Sequence, residues 1–154
     1  MTAKRSAGTT ISISATTPGS YDQSGYEAIG DFSPLGEATR IAGFGPRWNT
    51  ESHNPLANSG TQYIKTNRDG GPLSVEMALD TDDAGQVKAK AARDSATAIY
   101  SIKITEPNGD DYYAQILVTD FQVLLDTQSA KQTATLTAVV TASDSDIDWV
   151  EVLA

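Results

Sequence analysis

The chain has 154 residues, no cysteine and a formal net charge of −9 at pH 7, with 20 acidic side chains against 11 basic ones. This length favours one compact domain over residues 1–154, and the lack of cysteine excludes disulfides and thiolate chemistry. The acidic balance disfavours tight binding to DNA phosphates, and no apolar run approaches the roughly 18 to 20 residues of a membrane-spanning helix, so we expect no membrane partner.

The N-terminal part of the chain predicts an arm followed by two short strands. Residues 1–7 show no periodicity and predict a flexible N-terminal arm. Isoleucines alternate with serines over residues 8–15, which predicts a strand. A weaker alternation over residues 26–32 predicts a second strand.

Residues 42–71 form a long segment rich in glycine, proline and asparagine. Compact domains seldom carry a structureless connection longer than about 12 to 15 residues unless it binds or joins something. We therefore interpret this segment as an interaction loop, with a loose hairpin around residues 62–65. A disordered insertion stays open as the alternative interpretation.

The C-terminal part of the chain has the clearest strand signals. Strands are predicted over residues 73–79, 97–106, 111–125, 132–142 and 147–153. Pro107, Asn108 and Gly109 predict a tight hairpin turn, because Asn-Gly tolerates the positive φ angles that such turns need. The apolar phase slips near residues 119–121, which predicts a bulge, and residues 144–154 form a C-terminal segment.

One helix is predicted, over residues 82–93. Asp82 and Asp83 offer capping oxygens at its start, and basic side chains lie towards its end, where the helix dipole favours cations. The apolar stripe expected to pack on a sheet consists of Ala84, Val87, Ala91 and Ala92. With about six or seven mostly antiparallel strands, these elements predict a mainly β fold, a β-sandwich or barrel with one inserted helix.

The sequence predicts no catalytic, cofactor or metal site. His53 is the single histidine, and the chain has neither a nucleophile elbow nor a phosphate-binding loop. Asp144, Asp146 and Asp148 alternate as at the start of a calcium loop, but the glycine and glutamate that such a loop requires are missing. We interpret these three residues as a solvated acidic turn, and we expect a protein that is not an enzyme.

Several segments within residues 26–143 follow one another in an order that is found in a known family. They are YEAIGDFSPLGE, LSVEMAL, DDAGQVKAKAARD, TAIYSIKIT, EPNGDDYY, QILVTDFQVLL and QTATLTAVVTAS. This order resembles that of the major tail tube proteins of lambda-like phages, the siphoviruses with long non-contractile tails. The resemblance implies the phage tail tube fold, in which six copies close into a ring and the rings stack around a lumen that passes double-stranded DNA into the host.

The same resemblance implies partners and residue roles. The partners are further copies of the chain, the tape measure protein, the tail terminator and tail tip proteins, and DNA in transient, non-specific contact with a negatively charged lumen. The location is the virion tail, assembled in the host cytoplasm. The candidate inter-ring residues, in the arm and the long loop, are Arg5, Arg47, Trp48, His53, Tyr63 and Lys65. The candidate lumen residues are Glu76, Gln115, Thr119, Thr133, Thr135 and Thr137, for which an outer surface is the equal alternative.

Other functions stay open at this point. The main alternative is a monomeric β-sandwich recognition module of the carbohydrate-binding kind. Its stacking aromatics, carried by loops at one end of the fold, would be Tyr21, Tyr26, Trp48 and Tyr63. A hydrolase that uses two carboxylates and a tube protein of a contractile secretion apparatus are the remaining alternatives.

Overall fold

The computed structural model describes residues 3–125, 127–128, 131–143 and 146–154. In that part of the chain the strands are β1 (Thr10–Ser14), β2 (Ser33–Pro34), β3 (Ala38–Ile41), β4 (Arg47–His53), β5 (Gln62–Asp69), β6 (Pro72–Ala78), β7 (Tyr100–Thr105), β8 (Asp111–Leu124), β9 (Thr133–Thr141) and β10 (Trp149–Val152). The helices are α1 (Gln23–Glu27) and α2 (Ala84–Asp94). The fold is mainly β, as the sequence predicts, with more strands and one more helix than expected.

Eight of the strands form one antiparallel sheet. Its order is β2-β1-β7-β8-β9-β6-β3, and β10 also pairs with β8. Strands β9 and β10 lie one after the other along the same edge of β8, since Thr141 is opposite Gln115 and Trp149 is opposite Ala114. Strands β4 and β5 pair with each other and form a separate two-stranded sheet.

One face of the large sheet and helix α2 enclose the main core. The larger buried side chains there are Ile11, Ile13, Leu73, Val75, Met77, Ile102, Ile104, Ile116, Phe121 and Leu136. These positions confirm the alternation predicted for four of the strands. In β8 residues 113–116 are all buried, because the sheet is covered on both faces there. The register shifts between Val118 and Asp120, which confirms the bulge, and Gly109 has a φ of 93°, as the predicted turn requires.

Helix α2 begins after Asp83, whose side chain caps it by accepting a hydrogen bond from the Gln86 N–H. The apolar stripe predicted for this helix is wrong, because Val87 is exposed. The buried residues are Gly85, Gln86, Ala89 and Ala92. The polar Gln86 tolerates burial because its side chain donates to the Ala78 carbonyl and accepts from the Asp80 N–H.

The strand predicted over residues 26–32 is also wrong, since this segment begins inside helix α1. Asp22 caps that helix by accepting a hydrogen bond from the Gly25 N–H. Tyr26 is buried and its ring stacks on that of Tyr113, with 5.2 Å between the centroids. The α1 segment therefore covers part of the second face of the sheet, near the start of β8.

The two described ends of the chain meet at the turn between β7 and β8. The Lys4 ammonium of the predicted arm lies 3.2 Å from the Glu106 carboxylate and 2.8 Å from that of Asp110. The Asp110 carboxylate also accepts hydrogen bonds from the Ala154 N–H and the Asn108 amide. Residue 4 is thus attached to the sheet.

Candidate assembly interface

The segment predicted as an interaction loop is an ordered hairpin, formed by β4 and β5. Every residue of these two strands is exposed except Asp69, which is half-buried. Both faces of the hairpin are therefore open to solvent. The loose hairpin expected around residues 62–65 is real, but it is longer and more regular than the sequence indicates.

The register of the hairpin separates its side chains into two faces. Trp48, Thr50, Ser52, Tyr63 and Lys65 share one face, which we call the hairpin face. Glu51, His53, Gln62 and Ile64 lie on the other face. The Lys65 ammonium lies 5.6 Å from the centroid of the Trp48 ring, a cation–π contact that holds the positive charge on the hairpin face.

The base of the hairpin is attached to the large sheet through β10. The Arg68 guanidinium donates two hydrogen bonds to the Asp148 carboxylate, at 2.8 and 2.9 Å, and Asp148 is buried. The Trp149 indole N–H donates to the Gly70 carbonyl at 2.8 Å. A side chain on Gly70 would collide with Val140, because an added Cβ would lie 2.5 Å from its Cγ1 atom.

This arrangement corrects the interpretation of the acidic turn. Burial alone would raise the pKa of Asp148, but the hydrogen bonds from Arg68 and from the Trp149 N–H outweigh burial and hold this pKa below its ordinary value. Asp148 is thus a buried anchor and not a solvated carboxylate. Asp146 is exposed with a φ of 61°, and Asp144 lies outside the described residues.

The hairpin brings together five of the six candidate inter-ring residues. Trp48, Tyr63 and Lys65 lie on the hairpin face, whereas His53 lies on the other face. Arg47 is at the base, where its guanidinium is 3.5 Å from the Asp69 carboxylate. The sixth candidate, Arg5, lies elsewhere, on the rim of a cavity of about 420 Å³ between the N-terminal segment and β3.

The candidate lumen residues lie on the face of the sheet that is opposite the main core. Glu76 is opposite Thr135 and Thr135 is opposite Gln122, so three strands contribute to one polar row. Thr137 lies in the next row, and the Thr119 hydroxyl at the bulge donates to its carbonyl. We call this surface the threonine face. It consists of Glu76, Thr119 and Gln122, which are exposed, and of Thr133, Thr135 and Thr137, which are half-buried.

Gln115 does not share the exposure of the other lumen candidates. Its relative exposure is 5%, because it lies in the half of β8 that the α1 segment covers. Its cross-strand neighbours Ser101 and Ser14 are buried as well. The structure thus removes Gln115 from the surface and leaves five candidates on or beside the threonine face.

In the described part of the chain, three strands of the large sheet are paired on one side only. β2 pairs with β1 alone, β3 pairs with β6 alone, and β10 pairs with β8 alone. Exposed edge strands present unpaired backbone groups that can bind another chain. The fold thus offers a projecting hairpin and free sheet edges for contacts between molecules.

Comparison with known proteins finds a similar fold in chains of solved tail and injection-system structures. No family model and no curated protein sequence matches the chain. A chain of the 6-fold-symmetrised baseplate of the anti-feeding prophage is similar to it with a TM-score of 0.68 and 14% identity, covering 99% of this chain and 97% of that one. A chain of the C6-symmetric tail of an empty GTA particle has a TM-score of 0.64 and 10% identity, over 92% and 96%. A chain of the PVC sheath/tube terminator, from an extracellular contractile injection system, has a TM-score of 0.62 and 7% identity, over 92% and 94%.

The chain has a tail-tube-like fold. The similar chains are components of a baseplate, a tail and an injection system. They include contractile systems, so the likeness does not single out the lambda-like tails that the sequence resembles. Among the described residues, no helix is long and apolar enough to cross a membrane, and no three potential metal-ligating side chains are grouped.

The tail-tube-like fold also separates the aromatic residues that the alternative function needs. Tyr26 is buried against Tyr113 and is not available to a ligand. Trp48 and Tyr63 are exposed on the hairpin, a different element of the fold. The structure therefore does not assemble the stacking platform that a carbohydrate-binding module would require.

Proposed function

We propose that this protein is a structural subunit of a tail tube, which closes with further copies into hexameric rings that stack around a lumen. The observation that carries this proposal is the β4–β5 hairpin, which is ordered, exposed on both faces and rigidly attached at its base. A hairpin of this kind is only marginally stable alone, so large exposed side chains on it favour burial against a partner. The similarity to chains of C6 and 6-fold assemblies supports copies of itself as that partner.

Ring closure uses the open sheet edges in this proposal. The outer strands β2 and β3 would each pair with a strand of a neighbouring copy, so that the sheets join around the ring. Closure of this type pairs the open sides of β2 and β3, which would otherwise favour uncontrolled aggregation. The hairpin then joins one ring to the next, in the role expected for Arg47, Trp48, His53, Tyr63 and Lys65.

The threonine face lines the lumen in this proposal. Its charged side chain is Glu76, which lies 3.5 Å from the Arg40 guanidinium, so hydroxyl groups dominate this surface. Because this surface has few cations, it offers DNA phosphates no strong binding site. The net charge of −9 adds a general electrostatic repulsion. The cargo would be the tape measure protein before ejection and double-stranded DNA during it.

The remaining features of the proposal follow from this role. The subunit would be a virion component, assembled in the host cytoplasm and capped by tail terminator and tail tip proteins. The lambda-like, non-contractile tail is the type that the sequence resembles, and a tube inside a contractile system is the second candidate. That second candidate is favoured by the similarity to a PVC chain of a contractile injection system.

Truncation of the hairpin tests the assembly role. The variant replaces residues 51–64 by Asn-Gly, which joins the paired residues Thr50 and Lys65 by a two-residue turn and leaves the base intact. We expect the wild type to form rings and tubes in negative-stain electron microscopy. The truncated chain should retain the circular dichroism spectrum of a folded β protein but form no tubes. Normal tubes from the truncated chain would refute the joining role of the hairpin.

Cysteine labelling tests the lumen, since the natural chain has no cysteine. Glu76→Cys places a thiol on the threonine face, and Val87→Cys places a control thiol on the exposed side of α2. In assembled tubes, a small maleimide should label both variants, whereas a maleimide on a polymer too large to enter the tube should label the control alone. Equal polymer labelling of both thiols would place the threonine face on the outside.

A further inference from the structure

Strand β6 connects two surfaces that lie at opposite ends of the sheet. The hairpin ends at Asp69, three residues before β6 begins at Pro72. At the other end of β6, Ala78 is opposite Thr133, and Thr133 is opposite Leu124 of β8. Seven strand residues at about 3.3 Å each separate these surfaces by roughly 20 Å.

The end of the sheet that is distant from the hairpin carries exposed apolar side chains. Leu124 and Leu125 are 60% and 66% exposed, and Val123 beside them is 43% exposed. Asp80 and Asp82, which follow β6, are exposed at the same end. We call these five residues the tail patch. Leu124 pairs with Thr133 and faces the same side of the sheet, whereas Val123 pairs with Ala134 and faces the other side, so the tail patch lies on the end rim of the sheet. It runs from the end of β8, past the start of β9, to the segment that follows β6, and three strands about 4.8 Å apart give a width of roughly 10 Å, close to that of a two-stranded hairpin.

The hairpin face is complementary to the tail patch in both polarity and charge. Trp48 and Tyr63 are 47% and 71% exposed and supply apolar area, as the leucines of the tail patch do. Lys65 makes no ion pair with any described residue, and its ammonium remains on the hairpin face above Trp48. Residues 47–69 contain three basic and two acidic side chains, so the hairpin has a net charge of +1 in a chain with a net charge of −9.

We propose that the tail patch of one copy is the docking site for the hairpin face of a second copy in the next ring. This inference rests on the proposed tube function and names the surface that receives the hairpin. Because the two surfaces differ and lie at opposite ends of β6, their contact is head-to-tail, and such a contact repeats without closing when each copy is placed along the tube axis from the last. The subunit thereby encodes a tube that grows with one polarity.

A charge exchange tests the pairing in the intact protein. Lys65→Glu and Asp82→Lys should each raise the subunit concentration needed for tube growth by at least about tenfold. Each exposed contact loses a small amount of binding free energy, and these losses add up over all the contacts of a ring. The double variant should restore growth to near the wild-type concentration. Glu27→Lys, an exposed reversal on α1, is the control and should change little. Single variants that assemble normally, or a double variant no better than either single one, would overturn the pairing while wild-type tubes still support the proposed function.

Disulfide trapping gives a second measurement that does not depend on tube growth. In the cysteine-free background, Tyr63→Cys combined with Leu125→Cys should form a ladder of covalent oligomers under mild oxidation. Tyr63→Cys combined with Val87→Cys is the matched control, since Val87 is 51% exposed but lies outside the tail patch. A missing ladder, or an equal ladder in the control, would overturn the assignment of the tail patch. Covalent ladders from the Tyr63→Cys, Leu125→Cys variant, together with a wild-type chain that never forms tubes, would instead contradict the tube function.

Discussion

Gly70→Ala tests whether the hairpin is held by close packing at its base. An added Cβ would lie 2.5 Å from Cγ1 and 2.8 Å from Cβ of Val140, and 3.2 Å from Cβ of Asp148. Val140 cannot move aside easily, because its N–H donates to the Gly71 carbonyl and its side chain is 7% exposed. Overpacking of this kind costs about 1 to 3 kcal/mol, which for a chain of this size lowers Tm by roughly 2 to 12 °C.

The measurement is urea unfolding followed by circular dichroism, together with thermal unfolding. Gly43→Ala is the matched control, since no atom lies within 4 Å of its added Cβ. We expect the control to unfold within about 0.5 kcal/mol of the wild type. A Gly70→Ala variant as stable as the Gly43→Ala control would refute the packing argument.

A double-mutant cycle identifies the atoms responsible. Val140→Ala alone should cost about 1.5 kcal/mol or more, because two buried methyl groups are deleted. If the collision with Cγ1 dominates, Gly70→Ala combined with Val140→Ala is less destabilised than the sum of the single variants by about 1 kcal/mol. If the stability losses of the two single variants simply add, the cost of Gly70→Ala does not come from the contact with Cγ1 of Val140.

Two further predictions concern buried carboxylates. Asp148→Asn should weaken the attachment of the hairpin and speed hydrogen exchange of the backbone amides of β5. The control Asp146→Asn, in the same turn, should leave this exchange unchanged. Equal exchange rates in both variants would contradict the anchoring role of Asp148. The N–H of Ala154 and the side chains of Lys4 and Asn108 lower the pKa of Asp110 from 3.8 to about 2. Because this pKa is lower in the folded state, the stabilisation from Asp110 is complete above about pH 4 and is lost as the pH falls towards 2. A carbon NMR titration of the Asp110 carboxyl should have its midpoint near pH 2, and a midpoint near the ordinary value would contradict the structure.

The strands of the main core could be predicted because each buries one face inside this chain. Leu73, Val75 and Met77 alternate with more exposed residues along β6, and a period of two is the direct consequence of a strand with one buried face. The Asn-Gly turn and the bulge of β8 are equally local, because turn chemistry and a slip of the apolar phase are both visible within a few residues.

The errors in the helices have a different physical origin. Helix α1 has five residues, which are too few for a helical period to be visible in the sequence. The sequence feature that indicates this helix is its capping residue, Asp22. In α2 the apolar Val87 faces solvent while Gln86 is buried, because loop backbone at Ala78 and Asp80 satisfies the amide. Partners supplied by tertiary structure cannot be deduced from the hydrophobicity of one segment.

The candidate interface was the hardest part to predict, for a reason that bears on its function. Sequence periodicity records which residues face the core of the same chain, and β4 and β5 face no core of their own. A hairpin that buries neither face against its own chain therefore has no internal face to impose a period, and its glycines and asparagines make it resemble a loop. Its anchor was hidden as well, because Arg68 and Asp148 are 80 positions apart in the sequence. An ordered strand pair without amphipathic alternation, held at its base by an ion pair to a buried carboxylate, is the pattern expected of an element whose partner is another molecule.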